Sequence, residues 1–121
     1  MATVLVLDDC RTTCMMIESL LDSLGLQASV VSSSADALKI CIEQMPDAII
    51  LDWNMPGMDG LEFQSKIRLL PKGHKPKIIF CTVRDEYADI AKAMSGGADG
   101  FIIKPATLET LTHHLQRVGL V

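Results

Sequence analysis

Five polar residues each follow a short apolar run, and their types belong together chemically. Asp8 and Asp9 come after TVLVL, Asp52 after AIIL, Thr82 after KIIFC, and Lys104, with Pro105 behind it, after GFII. Three carboxylates brought to one rim repel each other unless positive charge lies among them. A hard divalent cation with oxygen ligands answers that need, and Mg²⁺ takes one or two carboxylates together with waters. The lysine adds a fixed positive charge. A carboxylate in such company can attack a phosphoryl group and form an acyl phosphate. Cation and ammonium together would neutralise charge on the transferring oxygens, and the threonine hydroxyl would hydrogen-bond one of them. Each residue also has a plainer reading. An acid after a strand is often a turn former or helix cap, a threonine an N-cap and a lysine a solvated charge. Asp52 resists that reading, because it stands between an apolar run and Trp53, and an isolated buried carboxylate is costly.

Whether the five meet depends on the elements that carry them. The apolar runs are Thr3–Leu7, Ala28–Ser32, Ala48–Leu51, Lys77–Cys81 and Gly100–Ile103. Three are continuously apolar and β-branched, as in strands covered on both faces of a parallel sheet. The second is more polar and is expected at an edge. Helical periodicity fills the gaps over Arg11–Leu24, Ser34–Met45, Leu61–Leu70, Arg84–Ser95 and Thr107–Val118. Gly25 stops the first of these, a serine is available to cap the second, and Pro46 and Pro71 end the second and third. Strict alternation predicts a doubly wound α/β fold, (βα)₅, with a flavodoxin-like strand order 2-1-3-4-5 and helices on both faces. In such sheets ligands bind at the carboxyl ends of the strands, which is where the five residues stand.

The 121 residues suit one domain, 1–121, with a core that needs no staples. Hydrophobic residues make up 49 % and charged residues 21 %, which excludes disorder. The net charge of −4, without a basic run, argues against a generic binder of phosphate backbones. Asp8, Asp9, Asp52 and Lys104 together hold half of that charge. Cys10, Cys14, Cys41 and Cys81 show no CxxC pairing and are expected to be reduced thiols in the core of a cytoplasmic protein. No apolar stretch reaches the roughly 18 residues of a membrane span.

At this point the chain resembles the receiver domain of bacterial two-component response regulators, over its full length and in order. VLVLDD at 4–9 resembles the strand with the acidic pair. IILDWNMPGMDG at 49–60 resembles the phosphoacceptor strand and its loop, FCT at 80–82 the strand ending in the signalling Thr or Ser, and GADGFIIKP at 97–105 the last strand with its Lys-Pro. The resemblance implies Asp52 as phosphoacceptor and Asp8, Asp9, Asp52 and the Asn54 carbonyl as ligands of Mg²⁺, or of Mn²⁺ in its place. It implies Lys104 as the phosphoryl contact, aimed by a cis Lys104–Pro105 bond, and Thr82 with Phe101 as the switch pair. Asn54 and Arg84 hold positions that tune phosphoryl lifetime. Arg84 would either lean over the pocket or be solvated. Val83 is larger than the family favours, so it would narrow the pocket or hinder Phe101. Phe101 lacks the hydroxyl of the common tyrosine.

The implied partners are a sensor histidine kinase or histidine phosphotransfer protein and a downstream target protein. Neither nucleic acid nor membrane is expected as a direct partner. The chain is expected to be a monomer or, once phosphorylated, a weak dimer. Its target face would be the fourth helix, fifth strand and fifth helix, with Tyr87 either contributing to it or half-buried. With no output segment after Val121, a stand-alone regulator of the chemotaxis type is expected, a piece of a longer regulator being the alternative. An aspartyl phosphatase of the haloacid-dehalogenase type fits less well. Its nucleophile ends the first strand in a DxD pattern, whereas Asp52-Trp53-Asn54 lacks the second acid. A flavodoxin-type carrier fits poorly too, because its first loop must cradle phosphate and this one opens with two acids. A phosphorylation-independent interaction domain is disfavoured because all five site residues are present.

Overall fold

In the computed structural model, which describes residues 2–121, the chain alternates five strands with five helices. The order is β1 (Thr3–Leu7), α1 (Arg11–Ser23), β2 (Gln27–Val31), α2 (Ser34–Glu43), β3 (Ala48–Leu51), α3 (Gly60–Leu69), β4 (Lys77–Thr82), α4 (Tyr87–Ser95), β5 (Gly100–Ile103) and α5 (Leu108–Arg117). All neighbouring strands pair in parallel, in the order β2-β1-β3-β4-β5. The expected fold and strand order are therefore those observed, with β2 at an edge.

Strand side chains alternate between the two faces, and each face has its own core. Val4, Val6, Ile50, Ile79, Cys81 and Ile102 pack with Cys14, Ile17 and Leu21 of α1 and Leu111 and Leu115 of α5. Leu5, Leu7, Ile49, Leu51, Ile78 and Phe80 pack on the other side with Ala37 and Cys41 of α2, Phe63 and Ile67 of α3 and Ala93 of α4. The middle strands are buried on both faces, so they read as unbroken apolar runs. Three helices are capped by side chains: Ser33 accepts from the Asp36 amide, Asp59 from the Glu62 amide and Thr107 from the Thr110 amide.

Some expectations are corrected. Cys10 lies exposed at the start of α1, while Cys14, Cys41 and Cys81 are buried. The second strand spans Gln27–Val31 rather than Ala28–Ser32. The fourth helix begins at Tyr87 rather than Arg84. Glu86, with an extended backbone (φ −74°, ψ 136°), is the residue before the helix, so 84–86 form a loop in which the Arg84 amide donates to the Thr82 hydroxyl at 3.4 Å. Of α4 only Ala93 is buried; Met94 is 42 % and Tyr87 85 % exposed, so Tyr87 is not the half-buried residue of one expectation.

Candidate functional site

The site forms where the parallel ladders run out. Leu7 is in register with Leu51, and the Asp52 amide then donates to the Leu7 carbonyl at 3.0 Å. Asp8 and Asp52 are thereby fixed side by side. On the far side of β4, Thr82 is in register with Ile103, and the Lys104 amide donates to the Thr82 carbonyl at 2.8 Å. The Lys104–Pro105 peptide bond is cis. Helix α3 closes the floor. Its first residue, Gly60, donates to the Trp53 carbonyl at 2.8 Å, and a Cβ on Gly60 would lie 2.4 Å from the Asp52 carbonyl oxygen. Only glycine allows that approach.

Asp8 is 2 % and Asp52 6 % exposed, whereas Asp9 faces solvent. Each of the three offers a carboxylate oxygen, and these oxygens lie within 4.8 Å of one another. Lys104 bridges two of them, with Nζ 2.8 Å from Asp8 Oδ2 and 3.2 Å from Asp52 Oδ2. Burial by itself lowers the lysine pKa. The hydrogen bond to Asp8 and the charges of Asp52 and Asp8 outweigh burial and hold Lys104 above its ordinary value. The remaining oxygens are held by backbone: Asp8 Oδ1 accepts from the Cys10 amide at 2.8 Å, and Asp52 Oδ1 from the Asn54 amide at 3.3 Å. The cluster thus holds three carboxylates and one ammonium, which reaches Asp8 and Asp52, and its open side is at exposed Asp9. That donor set, all hard oxygen with an uncompensated double negative charge, suits a divalent cation such as Mg²⁺.

Around this cluster stand the other residues singled out in the sequence. Thr82 is fully buried, and its hydroxyl accepts from the Arg84 amide. Phe101 is half-buried and stacks on Phe80, ring centres 5.8 Å apart and planes 16° apart; Phe80 in turn meets Trp53 at 5.7 Å. Val83 is 65 % exposed, and Asn54 is exposed. Arg84 lies against the two residues that follow Asp52: its Nε donates to Asn54 Oδ1 at 2.9 Å and its guanidinium carbon lies 4.7 Å from the Trp53 ring centre. Its Nη1 pairs with Asp89 of α4 at 3.1 Å. Sequence reasoning passed over Asp89, Gly60 and the ring of Trp53. Residues 84 and 89 are five apart across a loop and a helix start, a spacing that signals no contact.

A parallel α/β sheet of this order, carrying an acidic cluster and a half-buried lysine at the carboxyl ends of β1, β3 and β5, defines a receiver-type domain. The sequence pattern of the response regulator receiver domain matches residues 4–116, and the chain belongs to that family, the phosphoryl-accepting switches of two-component signalling. It is similar to the transcriptional regulatory protein AfsQ1 of Streptomyces coelicolor, 30 % identical over 98 % of this chain and 51 % of that protein. It is 31 % identical to the probable chemotaxis protein CheY of Rhizobium etli, over 95 % of this chain and 90 % of that one. The crystal structure of chemotaxis protein CheY4 of Vibrio cholerae superposes with a TM-score of 0.91 at 31 % identity, covering 98 % of both chains. The chain spans about half the length of AfsQ1 but nearly all of the CheY proteins. As a receiver domain it is a signalling switch, and no helix among the described residues is long and apolar enough to cross a membrane.

Proposed function

We propose that Asp52 takes the phosphoryl group, from the phosphohistidine of a sensor histidine kinase or of a histidine phosphotransfer protein. An Asp52 carboxylate oxygen forms the new P–O bond, the P–N bond to the histidine breaks, and the electron pair returns to the imidazole nitrogen. The observation that carries this reading is the Lys104 ammonium 3.2 Å from Asp52 in a pocket where two further carboxylates converge. Asp8, Asp9, Asp52 and the Asn54 carbonyl would hold Mg²⁺, which when bound neutralises charge on the transferring oxygens. Lys104 then divides its hydrogen bonds between Asp8 and the phosphoryl group.

The new group adds a charge of about −1.5 to −2 to the pocket. Thr82 moves so that its hydroxyl donates to a phosphoryl oxygen, and Phe101 turns into the space the threonine leaves. The face of α4, β5 and α5 then changes its affinity for a downstream target protein. Asn54, Val83 and Arg84 set the approach of water and so the phosphoryl lifetime; the domain's chemistry is its own phosphorylation and dephosphorylation, without turnover of a separate substrate. In this reading residues 1–121 act as one receiver domain in the cytoplasm, as a monomer or a weak dimer once phosphorylated, with protein partners rather than nucleic acid or membrane.

The test is incubation with Mg²⁺ and acetyl phosphate. Wild type is expected to gain one acid-stable, base-labile phosphoryl group, and Asp52→Asn none. A chelator should stop the gain; labelling that continues in its presence would refute the metal role of Asp8 and Asp9.

A further inference from the structure

Arg84 touches four parts of the molecule at once. Its amide holds the Thr82 hydroxyl at 3.4 Å, its Nε holds Asn54 at 2.9 Å, its guanidinium lies on Trp53, and its Nη1 holds Asp89 at 3.1 Å. Trp53 and Asn54 follow Asp52 directly in the chain, and the Asn54 amide donates to the Asp52 carboxylate. Asp89 belongs to the first turn of α4, a helix with a single buried residue, Ala93. Few contacts hold that first turn to the core, so it can shift at little cost. The Arg84–Asp89 pair is a side-chain tie between the pocket cover and this loosely held helix, and the two side chains are 38 % and 17 % exposed.

We propose that Asp89 is a positioning residue whose grip on Arg84 makes phosphoryl lifetime depend on where α4 sits. The inference rests on Asp52 being the phosphoacceptor. While Asp89 holds Nη1, the guanidinium stays against Trp53 and Asn54, and water approaching Asp52 from that side is excluded. A partner protein that grips the first turn of α4 and draws Asp89 away releases Arg84 to solvent, and hydrolysis of the acyl phosphate speeds up. By linkage the dependence runs both ways: phosphorylation, by drawing Thr82 away from the Arg84 amide, shifts the loop that carries Arg84 and with it the tie to the first turn of α4.

Wild type, Arg84→Met, Asp89→Asn and the double variant are phosphorylated with acetyl phosphate and Mg²⁺ and desalted, and loss of the phosphoryl group is followed. Methionine keeps the apolar stem and removes the guanidinium. Loss should be about two- to fivefold faster in each single variant, the range a partly exposed ion pair supports. The double variant should lose it no faster than Arg84→Met. Trp53 is the single tryptophan, so its emission reports the stacked guanidinium directly. Emission of unphosphorylated Asp89→Asn should move in the same direction as that of Arg84→Met. Wild-type lifetime in Asp89→Asn, an unmoved emission, or multiplying rates in the double variant each overturn the proposal. Failure of wild type to label instead overturns the Asp52 reading, and the emission measurement, which needs no phosphoryl group, separates the two failures.

Discussion

The ammonium of Lys104 lies 2.8 Å from Oδ2 of Asp8, closer than its 3.2 Å approach to Asp52. Before phosphorylation the lysine is therefore chiefly the partner of the acid on β1. The Asp8 side chain is 3 % exposed and would be an uncompensated buried charge without it.

That pairing predicts an alkaline dependence of stability. The folded state holds Lys104 above its ordinary value of 10.5, because its bonds to Asp8 and Asp52 outweigh burial. A raised pKa contributes stability that is fully present below the ordinary value and is lost as pH rises through the folded one. Lys104→Met should be less stable than wild type at neutral pH, and the gap measured by urea unfolding should narrow as pH passes above the ordinary lysine value. A gap that stays constant across that range would contradict the pairing.

Three carboxylates around one ammonium make the metal-free pocket strained by repulsion. Removing the exposed acid should relieve it. Asp9→Asn is expected to gain about 1 kcal/mol or less without divalent ions, the scale of exposed charge interactions. Wild type should be stabilised by Mg²⁺ in proportion to ligand occupancy, and Asp9→Asn should not. Melting curves with and without Mg²⁺ check both signs; a variant that melts lower and still responds to Mg²⁺ contradicts the account.

Gly60 is where α3 presses on the Asp52 peptide. A Cβ there would lie 2.4 Å from the Asp52 carbonyl oxygen and 2.8 Å from the Trp53 Cα, both backbone atoms that cannot swing aside. Gly60→Ala should cost about 1–3 kcal/mol, as overpacking does, and slow phosphorylation from acetyl phosphate by displacing Asp52. Denaturant unfolding and the labelling rate should change together; stability lost with an unchanged labelling rate would mean that the contact does not position Asp52.

The four thiols should separate on alkylation. The hydroxyl and amide of Thr13 draw the exposed Cys10 thiol below its ordinary value. Burial raises the thiols of Cys14, Cys41 and Cys81, the last two to about 11 and about 12. Iodoacetamide near neutral pH is expected to modify Cys10 first and leave the others until the chain unfolds. Peptide mapping after brief exposure checks it.

The fold was legible because each central strand is buried on two faces and must be an unbroken apolar run, while the other helices, unlike α4 with its single buried Ala93, show a buried stripe. The site followed from the ladders. With Leu7 opposite Leu51 and Thr82 opposite Ile103, the next residues of β1, β3 and β5 could not avoid one another. What stayed hidden depends on side-chain reach. Cys10 was expected in the core with the other thiols, yet it stands just before α1, where its side chain is exposed. Arg84 carried two readings, solvated or leaning inward, and only the positions of Trp53, Asn54 and Asp89 decide between them. The late start of α4 is equally local: Glu86 holds an extended backbone (φ −74°, ψ 136°) just before it, which the spacing of apolar residues does not show.

Where the phosphoryl group is bonded tests the central claim most directly. Borohydride reduces an aspartyl phosphate to homoserine and leaves free carboxylates unchanged, so reduction followed by peptide sequencing marks the acceptor. After incubation with Mg²⁺ and acetyl phosphate, homoserine is predicted at position 52 and at no other aspartate. Homoserine at position 8 or 9, or a protein that carries phosphate with Asp52 intact, would contradict the assignment.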